Sequence, residues 1–125
     1  MEQKICLDTD ICISIMTGKK ETKSFHEKSE STSFAVSSVT FFELLAGAKK
    51  PQEVFDFLNG IQVIEFDEFS ARIASSIYKT LKSSGQIIEF RDIFIASCAI
   101  SRSLPLATLN KKHFSRIKEL KMAEI

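Results

Sequence analysis

Three acidic residues stand in apolar surroundings: Asp8 in ICLDTDICI, Glu43 in VTFFELLAGA and Asp92 in FRDIFIASCAI. A carboxylate among Ile, Phe and Leu is costly to bury unless something positive meets it. No Arg or Lys motif visibly pairs with all three. Convergence on one divalent cation explains them together, because hard carboxylate oxygens are the ligands that Mg2+ and Mn2+ take. An ion held this way lowers the pKa of a water and steadies charge on a phosphoryl group.

Each acid also has a plainer reading. Asp8 alone can be a helix N-cap, and Asp10 is the stronger capping candidate of the two. Glu43 sits among Phe41, Phe42, Leu44, Leu45 and Ala46, which leaves no broad polar face, although a solvated glutamate remains the plain alternative. Asp92 follows Arg91, and an Arg91–Asp92 surface arrangement at a helix start would account for it. Asn110 is most simply a turn or cap residue. His26 and His113 have no HxxxH partner, which argues against histidine-based metal binding or nucleophilic catalysis. There is no GxxxxGK[ST], GxGxxG or GxSxG, so nucleotide-cradling loops and serine triads are not indicated. The basic segment KKHFSRIK at 111–118 is ordinarily a solvated face. Beside acids at the same rim it could hold phosphates instead, through Lys111, Lys112 and Arg116.

The elements that must position these residues alternate in type. A buried strand is predicted over 4–7, a helix over 10–16 stopped at Gly18, and a strand over 34–36. The polar stretch 19–33 is either helix or excursion. Ser37 and Ser38 offer caps for a helix over 39–48, and Pro51 opens another over 51–58. A third strand covers 62–66. Asp67 caps a long helix to 83 with Phe69, Ile73, Ile77 and Leu81 as its apolar stripe, and Phe66 is a candidate staple at its start. An apolar helix over 92–100, a strand over 104–108, a short helix over 111–114 and an edge strand over 121–125 follow. Alternation of this kind implies an α/β fold, with a mostly parallel sheet of four to five strands and helices on both faces. Sites in such sheets form beyond the carboxyl ends of the strands. Asp8 directly follows the first strand and Thr108-Leu-Asn110 the fourth, so both fall at one rim.

Length and composition set the bounds. The 125 residues suit a single domain, residues 1–125. A 44% hydrophobic and 26% charged chain builds a full core and argues against disorder. A net charge of +1 gives no global field for a polyanion, so any such site is local. Cys6, Cys12 and Cys98 form no CxxC pair and read as buried thiols in a reducing compartment. The N-terminus shows no signal peptide and no membrane span, which points to the cytoplasm.

In this order the motifs resemble the PIN-domain nucleases, most closely the VapC-type toxins of prokaryotic toxin–antitoxin modules. LDTDICI, SSVTFFELLAGA, VIEFDEFSARIAS, IIEFRDIFIASCAI and LATLNKKHFSRI carry the similarity, which covers nearly the whole chain. The resemblance implies a PIN-like three-layer fold. It also implies a metal-dependent endoribonuclease with Asp8, Glu43 and Asp92 as acids for Mg2+ or Mn2+, and Asn110 at the fourth position with the Thr108 hydroxyl nearby. Asp10 stands where that family usually has Asn, and Arg91 where Asn is common. A VapB-like antitoxin and a homodimer are implied as partners, with no membrane. Two alternatives stay open: a catalytically silent PIN-fold binding module, and a PIN nuclease of RNA processing without a toxin role. The opening DTD also matches the start of haloacid-dehalogenase-type phosphatases, but that family's downstream Lys and acidic pair have no convincing equivalents here.

Overall fold

Four short strands lie in the order β3-β2-β1-β4, all parallel, in a computed structural model that describes residues 3–20, 22 and 32–124. The chain runs β1 (Gln3–Leu7), α1 (Thr9–Met16), β2 (Thr32–Ser37), α2 (Ser38–Gly47), α3 (Pro51–Phe57), β3 (Gln62–Ile64), α4 (Glu68–Ser83), α5 (Phe90–Ser101), β4 (Leu106–Ala107) and α6 (Lys111–Phe114). Register sets Ile5 against Phe34 and Leu7 against Val36 on one side of β1, and Leu7 against Ala107 on the other. Side chains alternate between the faces of a strand, and two cores result. Cys6, Ala35, Ile64 and Leu106 point to the face covered by α4 and α5, through Ala74, Ile77, Leu81, Ile93 and Ala96. Ile5, Leu7, Val36 and Ala107 point to the other face and meet Ile11, Cys12, Leu44 and Val54. That is the layered α/β arrangement expected.

The strand order creates a switch point. From β1 the chain moves outward to β2 and then β3, and returns to place β4 on the opposite side of β1. Connections leaving β1 and β4 therefore diverge and open a crevice beyond their carboxyl ends. Asp8 and Thr108 occupy that crevice.

Several elements differ from their sequence expectation for identifiable reasons. Asp8, and not Asp10, caps α1: its backbone is extended (φ −79°, ψ 174°) and its carboxylate accepts from the Ile11 amide at 2.8 Å. Asp10 is already helical and exposed. The stripe at Phe69, Ile73, Ile77 and Leu81 drifts about 120° around the helix over its length, because four residues exceed one turn. The buried face is accordingly Ser70, Ala74, Ile77 and Leu81, and Phe69 is left exposed. The Phe66 ring packs on Phe94 at 4.5 Å between centroids. β4 shrinks to two residues because Pro105 has no N–H, although its carbonyl still accepts from Cys6 at 2.9 Å. The expected fifth strand is a single parallel bridge between Leu106 and Met122. Ile125, Phe25 and His26 lie outside the described residues, as does most of the polar stretch 19–33.

All three cysteines are free and buried. Burial pushes Cys98 up to about 11 and Cys6 and Cys12 well above the ordinary thiol range, so all three are held as thiols.

Candidate metal centre

The crevice is built from four elements. β1 ends at Leu7 and delivers Asp8, whose amide donates to the Ala107 carbonyl at 3.1 Å. That bond ties the acid to the end of β4. Asp8 is 4% exposed. Burial is the main cause that raises its pKa to about 6, opposed by hydrogen bonding to the Thr108 hydroxyl and the Ile11 amide, with Asp10 and Asp92 adding repulsion. The first turn of α5 supplies Asp92, half-buried and also raised, again chiefly by desolvation. Asp92 adds to the repulsion that raises Asp8, Glu43 and Glu89 add to that which raises Asp92, and among the described residues no cation offsets Asp8.

Glu43 projects from α2, whose start is fixed by Ser37: its hydroxyl accepts from the Thr40 amide at 3.0 Å. One Glu43 oxygen accepts from the Thr9 hydroxyl at 2.6 Å, and the other from the Arg91 guanidinium at 2.9 Å. Arg91 also reaches Glu89 at 2.9 Å, and Glu43 pushes its already high pKa further up. On the fourth side Asn110 and α6 close the rim. The Asn110 amide donates to the Thr108 hydroxyl at 3.0 Å, and its side chain meets His113 Nδ1 at 2.9 Å. The same His113 nitrogen lies 3.3 Å from Asp92 Oδ2.

Residues 5–120 match the PIN domain family. Ribonuclease VapC1 of Methanocaldococcus jannaschii is 33% identical over 121 residues, covering 94% of this chain and 84% of its own. The chain belongs to the PIN-domain family, on its VapC branch. The tRNA(fMet)-specific endonuclease VapC of Shigella flexneri is 30% identical over 125 residues, covering 94% and 95% of the two chains. Among solved structures, VapBC2 of Rickettsia felis bound to a promoter DNA fragment superposes with a TM-score of 0.84 at 26% identity, over 97% of this chain and 98% of that one. DNA-bound VapBC of Salmonella typhimurium gives 0.82, also at 26% identity, over 98% of each.

In this PIN domain, Asp8, Asp92, Thr108 and Asn110 meet at one rim. Glu43 reaches that rim but is turned to Thr9 and Arg91. Among the described residues no three His, Cys, Asp or Glu side chains stand close enough to hold an ion as they are placed. The donor chemistry suits a hard cation, since the inward groups are carboxylate oxygens and Asp8 is buried with no counter-ion among the described residues. Arg91 pairs with Glu43, and among the described residues no arginine or lysine pairs with all three acids. The plainer reading of Asp92 as a surface partner of Arg91 needs correcting, because Asp92 is partnered by His113. His113 was missed because no histidine motif surrounds it. The available signal was its position three residues after Asn110 at a helix start, which puts the two side chains on one side. Of the three basic residues assigned to phosphate, Lys111 and Lys112 are exposed on α6 beside His113. Arg116 instead lines a separate cavity of about 150 Å3 with Ile77, Thr80 and Ser84.

Proposed function

We propose that this PIN domain is a metal-dependent endoribonuclease acting as the toxin of a toxin–antitoxin pair. The observation that carries this is Asp8: a buried carboxylate with no counter-ion among the described residues, beside a second raised acid, at the switch point of a parallel sheet. Asp8 and Asp92 would hold Mg2+ or Mn2+, with Glu43 joining directly or through water once it releases Arg91. A bound ion of this kind supplies an acidified water and neutralises charge on the phosphodiester. The rest falls to the chain's own groups. Thr108 orients Asp8, His113 orients Asp92, and Asn110 fixes the His113 ring. Lys111 and Lys112 are positioned to bind backbone phosphates, where each contact adds salt-sensitive affinity. RNA as substrate is supported by the names of the VapC relatives.

The relatives solved as VapBC complexes support a VapB-like antitoxin as partner, and a homodimer remains part of the proposal. Between α1 and the α2–α3 pair runs a cleft of about 480 Å3 lined by Ile13, Met16, Leu44, Ala48 and Val54, with Glu43 at its wall. Its apolar lining suits a partner's helix or strand. No helix among the described residues is long and apolar enough to cross a membrane, which is consistent with a cytoplasmic protein.

The test is cleavage of structured RNA with added Mn2+ or Mg2+. We expect activity with either ion, none in excess EDTA, and a loss on the order of 10- to 100-fold or more for Glu43→Gln. Full activity in EDTA or in the variant would overturn the site assignment.

A further inference from the structure

We infer that Arg91 is a displaceable counter-ion of the cation site, a positioning residue that sets the concentration at which the site fills. The inference rests on the metal-site reading above. Arg91 is the second residue of α5, at the end of the helix where the peptide dipoles disfavour a positive charge. Something else must hold it there, and acids do. Its guanidinium spans Glu43 Oε2 and Glu89 Oε2, each at 2.9 Å.

Glu43 is thereby committed on both oxygens, to Thr9 on one side and to Arg91 on the other. A divalent ion approaching Asp8 and Asp92 meets a fixed positive charge on the third acid of its own ligand set. Arg91 and the ion therefore compete for one carboxylate. The competition can be lost by either side. The Arg91 side chain is 54% exposed while that of Glu43 is 15% exposed, so water screens the guanidinium end of the pair and weakens its hold. The guanidinium can swing away without leaving a buried charge unpaired, while the ion gains Glu43. Asp8 differs in kind, since among the described residues it has no cation to exchange.

Calorimetric titration of the whole chain with Mn2+, without RNA, separates these roles. Arg91→Ala should bind Mn2+ about tenfold more tightly than wild type, and Arg91→Lys should stay within about threefold of wild type because it keeps the charge. Asp8→Asn should abolish binding with either residue at 91. Equal or weaker binding by Arg91→Ala, with Asp8→Asn still silent, overturns the counter-ion role and leaves the metal site standing. No Mn2+ uptake by wild type or Arg91→Ala overturns both. The readout is affinity for the bare ion, which a purely structural role for an exposed side chain would not tighten.

Discussion

Asp8→Asn is expected to lower RNA cleavage on the order of 10^3-fold and, in the metal-free protein at pH 7, to raise the thermal midpoint by roughly 5 °C. The two effects share one cause. Burial lifts Asp8 from the ordinary 3.8 to about 6 in the folded chain. Between those values the folded protein keeps a proton that the unfolded one has released. Stability therefore falls as pH rises through this window, and above it the ionised carboxylate costs about 3 kcal/mol. Asparagine removes the charge and still caps α1, since Asn and Asp are equivalent N-caps. Part of the gain is lost because a buried amide also needs partners, leaving about 1–2 kcal/mol. Of the three site acids, the same substitution deletes the one with no counter-ion among the described residues. Thermal melts in EDTA from pH 4 to 8, together with an RNA cleavage assay, check both halves. The wild-type midpoint should fall across the window while that of Asp8→Asn does so less. An unchanged cleavage rate, or a variant less stable at pH 7, contradicts the reading of Asp8.

Phe114→Ala should cost about 3–5 kcal/mol of unfolding free energy, measured by urea denaturation. Phe114 is 1% exposed and is the largest fully buried side chain described. It anchors α6 in the core beneath α5, together with Ile117 and Leu120. A helix of four residues has no stability of its own, so this ring is what holds the turn in place. Asn110 and His113 stand on that turn. The variant should therefore also weaken cleavage at temperatures where it remains folded, with Phe114→Leu intermediate in both respects. A loss under about 1 kcal/mol would mean that α6 is held by something other than its buried ring.

The sequence made much of the frame legible, because the frame depends on local signals. Alternating strands and capped helices placed Asp8 after β1 and Thr108 after β4 at one rim. Errors arose where a local rule had near rivals. Asp8 and Asp10 are both good caps, and only the backbone angles decide between them. An i, i+4 stripe on α4 looked continuous, but the helical pitch carries Phe69 off the face that Leu81 buries.

Contacts between distant side chains were not legible at all. Arg91 and Glu43 lie 48 positions apart, and their ion pair depends on where α2 and α5 bring two flexible chains. His113 and Asp92 meet for the same kind of reason, through the packing of Phe114 beneath the rim. These contacts change the site in substance. Among the described residues Asp8 has no cation beside it, Glu43 is already partnered, and Asp92 meets an imidazole. The three acids are therefore inequivalent, and substitutions at them should not have equal effects.

In the proposed site Asp8 and Asp92 are the fixed ligands of one divalent ion, with Glu43 recruited to it. Anomalous scattering from crystals soaked in Mn2+ tests this most directly. A single strong peak is expected at the rim, roughly 2.0–2.6 Å from a carboxylate oxygen of Asp8 and of Asp92, with Arg91 turned off Glu43. A rim without a peak, or an ion held elsewhere while Asp8 stays unliganded, would contradict it.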